Sequence, residues 1–288
     1  MNQPVDPKVD GLVRYRADFA YDGTNFAGWA KQPDLRTVHG EVITALETIF
    51  GKSTDDFGMR IAGRTDAGVH ATGQVLHFDL EPKRLKRLGR DTEFLHRLNG
   101  LLPADVQFTK IEVAPEGFDA RFSASFRRYR YRIADDLAFK NPLSSRYTLW
   151  FKRPLDTKAM QAAAQHLKGL HDFASFCRPR EGATTIRELK KIEVSRNQAD
   201  GNVIEIELIA DAFCHNMVRS IVGALIATGV GKATPDDILR VLKQASRVGS
   251  YKVVAPEGLT LVEVGYPPDD QLQAQADRAR DTRSLDEN

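Results

Sequence analysis

Apolar positions change period several times along the chain, and each change marks an element. Val13 to Tyr21 reads as a strand. After a turn at Asp22-Gly23-Thr24 and the loop Phe26-Ala27-Gly28-Trp29, the period lengthens to that of a helix. Val38, Val42, Leu46, Ile49 and Phe50 share one face, Thr37 serves as N-cap and Gly51 closes the helix. Met59 to Ala62 reads as the end of a short strand. Gln74 to Leu80 alternates, with Leu76, Phe78 and Leu80 on one face and His77 and Asp79 on the other, as in a half-buried strand. A helix is predicted from about Thr92 to Leu101, stopped by Pro103, and a strand over Val106 to Val113. The order is strand, helix, two strands, helix, strand, the split βαβ or ferredoxin-like pattern.

The second half repeats this order loosely. Phe122 to Phe126 leads into Arg127-Arg128-Tyr129-Arg130-Tyr131-Arg132-Ile133. A period of two puts Tyr129, Tyr131 and Ile133 on one face and Arg128, Arg130 and Arg132 on the other. Asp156 is the N-cap of a predicted helix with Met160, Ala163, Leu167 and Leu170 in register. Leu189 to Val194 and Val203 to Ile209 read as an antiparallel pair around the Asp200-Gly201 turn. A helix is predicted from about His215 to Thr228. Thr234-Pro235-Asp236-Asp237 starts another, with a hydroxyl N-cap, Pro at N1 and an acid at N3. Leu259 to Tyr266 is the last strand. Element order, without a sequence repeat, predicts an α+β protein of two ferredoxin-like modules, each forming half of a cleft. The expected organisation is a flexible N-terminus (1–12), an N-terminal domain (13–118), a C-terminal domain (119–266) and a disordered polar tail (267–288). The tail carries Asp269, Asp270, Asp277, Asp281, Asp286 and Glu287 against Arg278, Arg280 and Arg283.

Composition narrows the class without choosing a function. At 288 residues the chain is near the size where single cores split. A hydrophobic content of 42% and a charged content of 28% are those of a soluble globular protein. A net charge of +2 leaves nucleic-acid binding to local clustering. Two basic runs supply it: Lys83-Arg84-Leu85-Lys86-Arg87-Leu88-Gly89-Arg90 and the Arg/Tyr strand. Each alone reads as a solvated helix face or an edge strand; together they make a cationic surface beside aromatic rings, which suits RNA. Met1 to Leu12 is polar and does not resemble a signal peptide, and no run approaches the ~18 apolar residues of a membrane span. A cytoplasmic protein is expected, with Cys177 and Cys214 both reduced, because their spacing matches no zinc motif and one pair cannot staple so long a chain.

The candidate chemistry gathers in one loop, Gly63-Arg64-Thr65-Asp66-Ala67-Gly68-Val69-His70, between two strands. A short loop on a rigid sheet aims side chains well. Asp beside Gly in a turn is ordinary by itself, because its carboxylate bonds nearby backbone N–H groups. Arg219, one turn into an apolar helix, is expected to be partly buried and to need an acid, either within its own domain or at Asp66. His70 and His77 read as hydrogen-bonded structural groups, and no third ligand has metal-site spacing.

Several motifs carry more. Residues 63–71, Gly-Arg-Thr-Asp-Ala-Gly-Val-His-Ala, followed by Gly73-Gln74-Val75 and His77-Phe78, resemble the signature of the tRNA pseudouridine synthase A (TruA) family. So do Tyr21-Asp22-Gly23-Thr24 with Gly28-Trp29, Arg36-Thr37-Val38, and Ala120-Arg121-Phe122-Ser123-Ala124 with Arg128-Tyr129-Arg130-Tyr131. Asp172-Phe173 with Ser175-Phe176, Phe213 with Met217-Val218-Arg219 to Gly223, and Gly258-Leu259 with Leu261 continue the match in order. Ala30 and His39 depart from it, standing where the family usually has Gln. The resemblance implies the pseudouridine synthase fold, with a central, mostly antiparallel sheet, and the isomerisation of uridine at positions 38, 39 and 40 of the tRNA anticodon arm. It implies Asp66 as the catalytic aspartate, Tyr129 as the ring that stacks on the target uracil, Arg219 as the basic partner of the carboxylate, and Arg64 as an arginine holding the flipped-out nucleotide. It further implies a homodimer that needs neither cofactor nor metal.

That chemistry suits those residues. The reaction breaks N1–C1′, turns the uracil and joins C5 to C1′, so nothing is added or lost. A carboxylate nucleophile can bind and leave again. The base must leave its stack to react, and an aromatic ring repays part of that cost. Two other readings use the same residues. A non-catalytic RNA-binding module would tolerate Asp66→Ala. A hydrolytic glycosidase or nucleosidase would want a second carboxylate, for which Asp22 is the nearest candidate, although its Tyr-Asp-Gly setting reads as a turn. Among enzymes, a synthase acting on another tRNA position is the alternative.

Overall fold

The computed structural model describes residues 8–9, 11–85, 91–179, 184–246 and 251–281. Its elements run β1 (Lys8–Val9), β2 (Leu12–Tyr21), α1 (Val38–Phe50), β3 (Arg60–Ile61), β4 (His70–Leu80), α2 (Pro82–Leu85), α3 (Asp91–Leu101) and β5 (Val106–Val113). They continue with β6 (Phe126–Ala134), β7 (Leu149–Trp150), α4 (Thr157–Gln165), β8 (Gly169–Asp172), β9 (Ile186–Asn197), β10 (Val203–Ala210), α5 (Met217–Gly229), α6 (Pro235–Gln244), β11 (Leu259–Gly265) and α7 (Leu272–Arg280). Two compact units result. One holds residues up to 125 together with 261–281, the other residues 126–260.

In the first unit, β2 points Val13, Tyr15, Ala17, Phe19 and Tyr21 into the core and leaves the alternate residues half-exposed. It pairs antiparallel with β4 on one side (Tyr15 opposite Phe78) and with β5 on the other (Ala17 opposite Ile111). β3 pairs with β4. The spatial order β5-β2-β4-β3 is the split βαβ arrangement that element order predicts. α1 starts where expected, its Thr37 hydroxyl accepting from the Gly40 N–H at 3.2 Å. Phe94 of α3 ties the layers, packing edge-on against Tyr15, Phe78 and Phe50. A fully buried side chain of this size contributes roughly 1.5–3 kcal/mol, so these rings are a main source of the unit's stability.

Three expectations for this unit need correction. β4 is not half-buried: His77 is buried and Asp79 nearly so. Their face is occupied, Asp79 by the Arg14 guanidinium (2.8 and 2.9 Å) and His77 Nδ1 by the Ala120 N–H (2.9 Å). The boundary expected after residue 118 falls after 125, because residues 119–125 are bonded into the first unit. Asp119 takes the Arg60 guanidinium at 2.7 Å and the N–H groups of Arg121 and Phe122, and the Ser125 N–H donates to Gly265 O. Finally, the region from 267 is not a disordered tail through residue 281. It carries α7, which buries Leu272 and Ala276 one turn apart. Two apolar residues among many charges gave little sequence signal, and residues 282–288 lie outside the described ones.

The second unit carries an antiparallel sheet in the order β6-β10-β9-β8, with β7 added in parallel to the end of β6. β9 and β10 meet at a turn in which Gly201 adopts a left-handed φ of 63°. Asp156 caps α4 by accepting from Lys158 and Ala159, and Thr234 with Asp237 forms a reciprocal capping box on α6. The helix expected to reach Leu170 stops at Gln165; Gly169 takes a φ of +113°, and Leu170 lies in β8. Cys177 and Cys214, which nothing in the sequence pairs, are brought side by side, with Cα atoms 5.7 Å apart. Their neighbours are brought together as well, the Arg178 N–H donating to His215 O. A separation of 37 residues says nothing of that approach.

Candidate active site

β3 and β4 hold the Asp66 loop at its two ends, and a second loop, residues 26–29, grips its middle. The Trp29 N–H donates to Thr65 O (3.1 Å) and the Gly68 N–H to Phe26 O (3.2 Å). Within the loop the Val69 N–H returns to Asp66 O at 3.2 Å, closing a tight turn. Gly28 has to be glycine: its φ is +96°, and a Cβ there would lie 2.8 Å from Thr65 O. Gly23 is needed too, since its Cβ would fall on the Val69 carbonyl. Neighbouring backbone thus packs directly on the loop, leaving no room for side chains between.

Asp66 is half-buried at this turn, while Arg64, two residues before it, is exposed and makes no hydrogen bond or ion pair with the described residues. His70 and His77 take the structural roles expected of them. The His70 ring accepts from the Gly23 N–H at Nδ1 (3.1 Å). Burial pushes His77 down to about 4, so it sits neutral in the core. Asp22 accepts from the Thr24 N–H, a turn role that leaves it poorly placed as a second catalytic acid. Among the described residues, no group of three His, Cys, Asp or Glu is arranged to hold a metal.

Tyr129 and Arg219 belong to the second unit. Tyr129 is buried on β6, and its ring meets Phe213 edge-to-face at 5.0 Å. Arg219 lies in the first turn of α5. Its Nε donates to Val254 O (2.8 Å), and the Val254 N–H bonds back to Arg219 O. The 251–254 segment therefore fixes the direction of this guanidinium. Its charge also acts on Tyr131, whose phenol is pushed up mainly by burial and by Glu257.

The cationic surface expected along β6 is not free charge. Arg132 pairs with Asp200 at 2.6 Å and Glu205 at 2.9 Å, Arg130 faces Glu205 at 3.7 Å and Arg128 faces Glu207 at 3.8 Å. Cross-strand register explains the pairing, since Glu205 and Glu207 alternate on β10 opposite the arginines. The other basic run reaches the described residues only through α2; residues 86–90 lie outside them.

The chain that builds the Asp66 loop resembles known proteins along nearly its whole length. The profile of a family described as tRNA pseudouridine synthase matches residues 163–267. A tRNA pseudouridine synthase A from Leifsonia xyli is 48% identical over 289 aligned positions, covering 96% of this chain and 100% of that protein. One from Streptomyces avermitilis is 48% identical, covering 99% of this chain and 98% of its own. One from Frankia casuarinae is 50% identical, covering 96% and 97%. The chain belongs to the tRNA pseudouridine synthase A family. Membership makes it an isomerase, and it turns three neighbours of Asp66 into questions. Tyr21, Thr65 and Gln74 stand in the family motifs, yet the sequence suggested no role for them. The one available signal was Gln74, a polar residue in phase with Leu76, Phe78 and Leu80 on the apolar face of its strand.

Proposed function

We propose that this protein converts uridine to pseudouridine in the anticodon arm of tRNA, at positions 38, 39 and 40, with Asp66 as the nucleophilic carboxylate. The observation that carries this reading is Asp66 itself, half-buried in a loop gripped on both sides by backbone, within a chain that matches tRNA pseudouridine synthases over almost its whole length. A nucleophile has to be held in a fixed attack geometry, and misplacement by about 1 Å can cost on the order of a hundredfold in rate.

The roles follow from the chemistry of each group. The target nucleotide is flipped from its stack at a cost of a few kcal/mol. Tyr129 offers the face on which the uracil re-stacks, worth roughly 1–3 kcal/mol. Arg64, exposed beside the loop, holds the displaced nucleotide through its phosphate or fills the space left behind. Arg219 is the cation that balances the Asp66 carboxylate. The Asp66 carboxylate adds to the target nucleotide and N1–C1′ breaks; the uracil turns, C5 bonds to C1′, and the bond to Asp66 breaks again to return the free carboxylate. The proton lost from C5 is matched by the one gained at N1, so no group is added or removed. A hydrolase would need a second catalytic carboxylate, and Asp22 is committed to its turn.

The test is pseudouridine mapping of tRNA transcripts incubated with purified wild type and with Asp66→Asn, without added metal or nucleotide. Wild type should modify the anticodon arm and Asp66→Asn should not, while tRNA binding stays within a few fold. Modification elsewhere would move the protein to another tRNA position. Tight binding with no modification by either would favour a non-catalytic RNA-binding module. The working unit we propose is a homodimer in the cytoplasm. Light scattering combined with assay should find activity in the dimer peak, and a fully active monomer would end that part of the reading.

A further inference from the structure

Beneath the Asp66 loop lies a closed polar cluster. Gln74 is completely buried on β4, Tyr21 is 4% exposed at the end of β2, and Thr65 is 8% exposed in the loop itself. The Gln74 amide gives one Nε2 proton to Gly63 O at 2.8 Å and the other to the Tyr21 oxygen at 3.2 Å. Gly63 O can only accept, which fixes the amide orientation. The Tyr21 oxygen lies 2.7 Å from Thr65 Oγ1. The Tyr21 hydroxyl thus sits between the Gln74 amide, from which it accepts, and the Thr65 hydroxyl, with which it shares a hydrogen bond. The bonds run in one line from Gly63 O through Gln74 and Tyr21 to the Thr65 hydroxyl.

We propose that Tyr21, Thr65 and Gln74 form a positioning relay that sets the orientation of Asp66 toward the target nucleotide. The inference rests on the reaction proposed above and names residues that act through Asp66 rather than on substrate. Both ends of the relay land on the loop just before the nucleophile, at Gly63 O and at the Thr65 hydroxyl. The Thr65 carbonyl is held separately by the Trp29 N–H, so the residue preceding Asp66 is fixed through its side chain and its backbone at once. Stability alone does not call for this arrangement. An apolar residue at position 74 would pack without desolvating an amide, whereas a fully satisfied buried network imposes one geometry. The relay also keeps its bonds across pH. Burial raises the Tyr21 phenol to about 12, against the opposing bonds to Thr65 and Gln74, so its hydroxyl stays protonated throughout the working range.

The test compares Tyr21→Phe, Thr65→Val, Thr65→Ser and the double variant Tyr21→Phe/Thr65→Val with wild type. Phe and Val keep the shapes and delete the hydroxyls. Pseudouridine formation is measured in single turnover with enzyme in saturating excess, alongside tRNA affinity and thermal melting. Tyr21→Phe and Thr65→Val should each slow formation about tenfold or more with tRNA affinity within about twofold. Thr65→Ser should recover most of the rate. The double variant should be no slower than the slower single variant, because a broken relay cannot be broken again. Single variants that melt earlier but turn over at the wild-type rate would overturn the relay, as would losses that multiply in the double variant. If wild type itself forms no pseudouridine, the reaction reading fails and takes the relay with it; if wild type is active and the variants match it, only the relay fails.

Discussion

Gly28 shows how a residue without a side chain can be part of an active site. Its φ of +96° disfavours every L-residue, and the space its Cβ would fill belongs to the Thr65 carbonyl. Gly28→Ala should cost about 1 kcal/mol or more in stability, read as a fall in melting temperature. It should also slow single-turnover pseudouridine formation, because the displaced carbonyl precedes Asp66. At this scale the sequence was informative about the reactive loop, since Gly63 and Gly68 bracket Arg64 and Asp66. It was silent about the support beneath. Hydrogen bonds from Tyr21 and Gln74 to the loop join elements whose approach no spacing encodes.

Among the elements, β4 departs most from its pattern. Alternation predicts one wet face, but the 118–122 segment covers it, and His77 becomes a core residue. Its Nδ1 has to stay unprotonated to accept from Ala120, and burial holds it at about 4, below the 6.5 of an unfolded histidine. The unfolded chain thus binds the proton first. The stabilisation is complete above about pH 6.5 and is lost as pH falls toward 4, by up to about 3 kcal/mol. Asp119 adds to the loss only at lower pH. Burial works against its ionised form, but the N–H groups of Phe122 and Arg121, together with His77 and Arg60, hold its carboxyl below the ordinary range. Urea unfolding at steps from pH 7 to pH 4 should show this slope in wild type and a flatter one in His77→Gln. Helix starts were the most legible elements, because Thr37, Asp156 and Thr234 make local bonds that local sequence encodes. The β6 arginines were less so. Their partners Glu205 and Glu207 become neighbours only once β10 is paired.

For the whole molecule, element order supported two α+β modules, and the first has the predicted split βαβ order. The boundaries were harder to place, because the chain does not divide at one point. It leaves the first unit after residue 125 and comes back to it at 261. β11 then lies beside β4, and Tyr266 donates its hydroxyl to Ala120 O at 2.7 Å. Synthesis on the ribosome meets this return as a delay. At about 5–20 residues per second, the intervening stretch takes on the order of ten seconds to emerge. During that interval the strand that follows Asp66 lacks a neighbour, and an open strand edge invites pairing with other chains. Nascent chains arrested with residue 260 outside the ribosome should therefore be cut by protease near residues 63–70, and chains released after residue 281 should resist. A peptide spanning residues 259–281, added to the arrested chains, should restore protection.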